Sequence, residues 1–163
     1  MLVEMKVAAL AIDPLTNMPI LLLKDLDERT TIPIWIGLVE ASAVATKLQD
    51  IELARPMTHD LLQHLLEELG VEVLHVEITD LRDNTYYANL VVKQGKRVLE
   101  LDARPSDAIA IAMRAGCSIY VEDHVVEKAA CLDVRTDFEA HPGDESQDLL
   151  KALPDETFGK WKM

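Results

Sequence analysis

Two stretches decide the fold: Glu40-Ala41-Ser42-Ala43-Val44-Ala45 and, 67 positions later, Asp107-Ala108-Ile109-Ala110-Ile111-Ala112. Each is an acid followed by small and aliphatic helix formers. In the first, only Glu40 interrupts two turns that are otherwise apolar or small; the second has no polar face until Arg114. Helices of this kind are expected to be buried, with alanines that let neighbouring backbones approach closely. The same offset lays Lys6–Ala11 over Val73–Ile78, Ile20–Lys24 over Tyr87–Val91, and Thr30–Ile36 over Arg97–Ala103. These runs are apolar and rich in β-branched residues. Turn signals at Asp13-Pro14, Asp83-Asn84 and Gln94-Gly95 punctuate them, so they read as strands. The pattern predicts an α+β domain of two related β-β-β-α halves with mostly antiparallel sheets.

Between the halves, Arg55-Pro56-Met57-Thr58 opens another helix, with Thr58 expected as N-cap and Gly70 as the stop. Leu61, Leu62, Leu65, Leu66 and Leu69 share one stripe, while Gln63, His64, Glu67 and Glu68 face away. An intervening amphipathic helix is therefore expected to lay its leucines on the core and leave His64 solvated. After the second half, Ser118–Val121 reads as a short strand and His124–Ala130 as a short helix. The domain is read as residues 1–130. Residues 131–163 form an acidic C-terminal appendage, partly helical where Leu149, Leu150, Leu153, Phe158 and Trp161 recur.

At 163 residues and 49% apolar content, the chain supports one self-sufficient core and is not a disordered polymer. No run reaches the roughly 18 consecutive apolar residues of a membrane helix. Glu4 and Lys6 break any signal-peptide layout, so no membrane partner and a cytoplasmic location are expected. Sixteen Lys and Arg against 29 Asp and Glu leave a net charge of −13, which repels DNA and RNA in bulk. A nucleic-acid partner would need a local basic site, a bound cation or a composite oligomeric surface. Cys117 and Cys131 lack disulfide-framework or metal-knuckle spacing and read as reduced thiols. Six glycines, and the absence of a Walker loop, nucleophile elbow or HExxH, exclude the common phosphate-cradling and hydrolase signatures.

What remains is charge in apolar company. Glu40 sits on an apolar helix, where an isolated carboxylate is costly unless it is paired, metal-bound or protonated. Asp107 lies in a first helical turn, where the dipole favours an anion. Arg55 and Arg104 each precede a proline at a helix entrance and suit these acids as partners, while His59 and Asp60 open the leucine-striped helix. In one reading, Glu40, Asp107 and Asp102, Asp60 or His59 converge on a divalent cation, Mg²⁺ or Mn²⁺. In the other, Ser106 or Asp107 caps a helix and Glu40 pairs with Arg55 or Arg104 as an internal ion bridge.

Three motifs in order resemble the bifunctional nuclease family: Ile34-Trp35-Ile36-Gly37 with Glu40-Ala41, Arg55-Pro56-Met57-Thr58-His59-Asp60-Leu61-Leu62, and Asp102-Ala103-Arg104-Pro105-Ser106-Asp107-Ala108-Ile109-Ala110. Tyr86-Tyr87-Ala88 is similar to the aromatic-aromatic-Ala element of that family. The resemblance implies an α+β domain, commonly a homo-oligomer (a dimer or higher), and nuclease activity on DNA and RNA. Carried over by motif, it implies Glu40, His59 and Asp107 as catalytic residues. Arg55, Arg104 and Ser106 would bind substrate, and Glu40, Asp60 and Asp107 would hold a divalent metal, Mg or Mn. The alternative is a non-enzymatic oligomeric binding or regulatory module, in which the same charges form structural ion pairs.

Overall fold

A computed structural model describes residues 1–130, so the acidic appendage expected over 131–163 lies outside the described residues. The first meander comprises β1 (Leu2–Ile12), β2 (Pro19–Asp25) and β3 (Thr31–Trp35), followed by helix α1 (Leu38–Leu48). Helix α2 (Thr58–Glu68) leads to the second meander, β4 (Val71–Arg82), β5 (Thr85–Gln94) and β6 (Arg97–Ala103), followed by α3 (Pro105–Ala115). Strand β7 (Ser118–Glu122) and helix α4 (Asp123–Ala130) complete the described residues.

Both meanders are antiparallel. β7 enters between them, antiparallel to β1 and parallel to β4, and joins them into one seven-stranded sheet of order β3-β2-β1-β7-β4-β5-β6. The fold is thus α+β and mostly antiparallel, with a single sheet. Read inward from either edge, each triplet presents its third, second and first strand before β7. This is the layout that an approximate twofold axis through β7 would give to a repeated β-β-β-α unit.

The sheet curls around its core, because the Tyr86 hydroxyl on β5 donates to the Pro33 carbonyl on the far edge strand β3 at 2.9 Å. Helices α1 and α3 pack against each other through Ala41, Ala43–Ala45 and Ala108–Ala112, all sealed from solvent. Leu10, Leu21, Leu23, Ile78 and Ile109 are fully buried in the same core. Each such side chain contributes roughly 1.5–3 kcal/mol of burial. Ser42 and Thr46 are tolerated inside because their hydroxyls donate to the Val39 and Ser42 carbonyls of their own helix. Helix α4 is tied to β4 by Lys128, whose ammonium donates to Asp80 at 2.8 Å.

Three expectations are corrected. The leucine stripe of α2 faces solvent, not the core: Leu61 is 63% exposed and Leu65 52%, and Leu62 and Leu69 are also exposed. The helix instead docks by its opposite side, where His59 is buried and Gln63 and Leu66 are half-buried. The reason is polar anchoring: His59 and Asp60 are bonded to Asp107 and Arg114 of α3, and those bonds set the rotation of the helix. Periodicity identifies a face without saying what that face meets. Second, α2 is capped by Met57 and not Thr58; Met57 is extended and its N–H donates to Asp60 at 2.9 Å. Third, α1 is buried only from Ala41 to Thr46, leaving Leu38 and Val39 exposed on its first turn. Among the described residues, no helix is long and apolar enough to cross a membrane.

Candidate functional site

Pro105 ends the β6 ladder and begins α3, with Arg104 in an extended conformation at the N-cap. Proline at this position loses only a donor that has no partner in a first turn. Neither Ser106 nor Asp107 caps the helix. Asp107 instead turns back toward Arg104, whose Nε donates to Oδ2 at 2.7 Å. On the neighbouring helix, Glu40 receives the same guanidinium, with Arg104 Nη2 2.8 Å from Oε1. Gly37 makes that possible. Its φ of −76° suits any residue, but a Cβ there would collide with the Glu40 carboxylate folded back over the helix start.

The other oxygen of Asp107 meets His59 Nε2 at 2.9 Å. Burial pushes the Asp107 carboxyl up, but the hydrogen bonds from Arg104 and His59 outweigh it and hold the group below its ordinary value. An ionised carboxylate can only accept, so His59 Nε2 carries the proton. His59 Nδ1 has no partner among the described residues. The result is a continuous row, Glu40–Arg104–Asp107–His59, linking α1, α3 and α2. Access peaks at Arg104, whose side chain is 66% exposed, and falls to 16% at Glu40 and 11% at His59.

Asp60 belongs to a different cluster. Its oxygens accept from the Met57 N–H and, at 2.6 Å, from Arg114 Nε. Arg114 also donates to the carbonyls of Ala43 and Ala110, and its side chain is only 7% exposed. One buried guanidinium therefore pins α1, α2 and α3 together. Burial raises the Asp60 carboxyl, and the bonds from Met57 and Arg114 more than reverse that shift.

The remaining expected residues are dispersed. Ser106 is buried and lines, with Glu40 and Arg104, a cavity of about 360 Å³ walled by Trp35 and Tyr86. Arg55 is exposed and lines a separate cavity of about 680 Å³ beside Asp60 and Arg114. It forms no ion pair with Glu40 or any other described residue. Asp102 is exposed on β6, outside the row. Among the described residues, no three His, Cys, Asp or Glu side chains converge as a ligand set. The donor chemistry explains why: the Arg104 guanidinium stands between Glu40 and Asp107, and Asp60 is already matched by Arg114. As arranged, Glu40, Asp60 and Asp107 do not fit a shared Mg²⁺ or Mn²⁺.

Three contributors were not singled out by sequence reasoning. Arg114 was read as the end of an apolar face, although a lone arginine on such a face signals a buried partner. Gly37 was read as part of a motif without its steric role. Trp35, one of seven aromatic residues, stands in the same motif, where the sequence does not reveal its bond to Asp13.

The model of the bifunctional nuclease domain matches residues 21–133. The chain belongs to that family. An uncharacterized protein of Mycobacterium tuberculosis is 36% identical over 98% of this chain and 90% of its own length. Bifunctional nuclease 1 of Arabidopsis thaliana is 24% identical over 79% of this chain and 41% of its own length. The protein of that name from japonica rice is 30% identical over 58% of this chain and 29% of its own. The chain thus spans well under half of these plant relatives. Strand β1 precedes the matched range, yet in this bifunctional nuclease domain it pairs with both β2 and β7 near the centre of the sheet.

The two arginines are expected to behave differently in urea unfolding. Arg114→Ala removes a buried guanidinium, leaves the half-buried Asp60 carboxylate and two carbonyls unmatched, and should cost about 3 kcal/mol at pH 7. Arg104→Ala removes an exposed guanidinium from two partly buried carboxylates and should cost less, about 1 kcal/mol. The folded Asp60 carboxyl lies below its ordinary 3.8, so its contribution is complete above that pH and is lost as pH falls through the folded value. The Arg114→Ala deficit should therefore shrink in acid. An equal cost for both variants would contradict the division into a structural and an accessible cluster.

Proposed function

We propose that this bifunctional nuclease domain hydrolyses phosphodiester bonds of DNA or RNA at the Glu40–Arg104–Asp107–His59 row. The observation that supports this most is the Asp107–His59 pair, an ionised carboxylate fixing one imidazole tautomer beside an exposed arginine. In this reading, Asp107 holds His59 with Nδ1 unprotonated, and Nδ1 takes a proton from a water that attacks phosphorus. The new P–O bond forms as the ester P–O bond breaks, and the leaving oxygen takes up a proton from solvent. Arg104 engages the two acids through Nε and Nη2, which leaves Nη1 to donate to a phosphate oxygen. Glu40 aims Arg104, and Ser106 lines the adjoining cavity. Arg55 lies outside the row, and Asp60 serves the structural cluster. No step runs through a cation; dependence on Mg²⁺ or Mn²⁺ is an arm of the experiment.

The experiment is cleavage of single- and double-stranded DNA and RNA by the purified chain with Mg²⁺, Mn²⁺ or EDTA. His59→Gln and Asp107→Asn, each shown to be folded, should slow cleavage by roughly 10²- to 10⁴-fold, the range for general-base removal. Cleavage at the wild-type rate in both variants would refute the assignment.

A second reading, a non-enzymatic homo-oligomeric binding module, is favoured by the exposed leucines of α2. Leu61, Leu62, Leu65 and Leu69 form an apolar stripe that a second copy would cover. Under it, light scattering shows a dimer or higher species that Leu61→Glu with Leu65→Glu converts to monomer. A wild-type monomer at micromolar concentration would remove that support.

A further inference from the structure

The cavity beside the row has a wall that the ion-pair chemistry does not use. Trp35 sits at the end of edge strand β3, 40% exposed, where the preceding residues Ile32, Pro33 and Ile34 are buried. An exposed indole is ordinarily free to change rotamer. This one is anchored: its Nε1–H donates to Asp13 Oδ2 at 3.0 Å. Asp13 is itself fixed, receiving the Leu15 N–H and the Thr16 hydroxyl at 2.9 Å each. The turn between β1 and β2 therefore acts as a bracket for one aromatic ring.

With Trp35, the cavity lining combines apolar Met18, Ile34 and Tyr86 with polar Asn84, Arg104 and Ser106. The lining holds one guanidinium, Arg104, with Nη1 as its free donor, so it offers a single phosphate contact and not a cradle. A flat, uncharged ring with hydrogen-bonding edges matches that mixed lining. About 360 Å³ is room for a nucleobase with its sugar and too small for a stacked base pair within a duplex.

Resting on the nuclease reading above, we infer that this cavity receives one unpaired nucleobase stacked on Trp35, with the adjoining phosphate directed outward to Arg104. The substrate class is then single-stranded nucleic acid, or an unpaired position in a duplex. Stacking tolerates any base, because every base has a π-face.

The 163-residue chain has two tryptophans, so Trp161→Phe leaves Trp35 as its one indole reporter. Titration in EDTA with a thymidine oligodeoxynucleotide of about 15 residues, near the upper site size for such surfaces, should quench Trp35 emission saturably and shield it from acrylamide. A blunt duplex of the same length should leave the emission unchanged. By anisotropy of a labelled oligonucleotide, Trp35→Ala should weaken single-strand binding roughly 5- to 150-fold, while Trp35→Phe keeps most of it. Single-strand binding with unaltered Trp35 emission, and a Trp35→Ala affinity within twofold of wild type, would overturn the base pocket and leave the nuclease reading standing. Failure of single strands and duplex alike to bind would overturn both.

Discussion

The close packing of α1 against α3 is the constraint on which the site depends. Alanines on both helices let the two first turns lie near enough for one guanidinium to reach Glu40 on α1 and Asp107 on α3. The same contact lets Arg114 reach the Ala43 carbonyl across the helix pair while holding Asp60 of α2. Larger side chains at Ala43 or Ala110 would separate the helices and break both sets of bonds. The charged residues are thus placed by the apolar ones. Two arginines divide the work: the buried one fixes the helix assembly, and the exposed one is left at an open cavity.

Much of this was legible in the sequence, and the exceptions have physical causes. The strands and both alanine-rich helices are readable because small-residue and β-branched runs differ in period, and α1 and α3 lie at the 67-residue offset of the two acid-led alanine-rich stretches. The rotation of α2 was not readable. Its leucine stripe has the stronger pattern, yet two polar bonds at its first turn decide which side meets α3. The pairing of Glu40 with Arg104 was one of two alternatives in the sequence, and only the Gly37 contact shows why the carboxylate folds that way. Among the described residues, Glu40, Asp60 and Asp107 each face an arginine instead of converging on one point, an arrangement that spacing alone does not reveal.

The net charge of −13 poses a problem for any nuclease reading, and the site's arrangement bears on it. Long-range attraction to a polyanion is not available to such a surface. Under the nuclease proposal, binding comes from short-range contacts, for which an anchored tryptophan and one partly exposed arginine are placed without a broad basic patch. Family membership and the plant relatives' names are consistent with that chemistry. The dyad of Asp107 and His59 is what makes it specific to named atoms in this chain.

That dyad is most directly tested by nitrogen-resolved NMR of the His59 ring in the uniformly ¹⁵N-labelled protein at neutral pH. The account predicts a proton on Nε2 and none on Nδ1, a preference that Asp107→Asn weakens or reverses. A wild-type ring protonated on Nδ1, or one indifferent to Asp107→Asn, would contradict it.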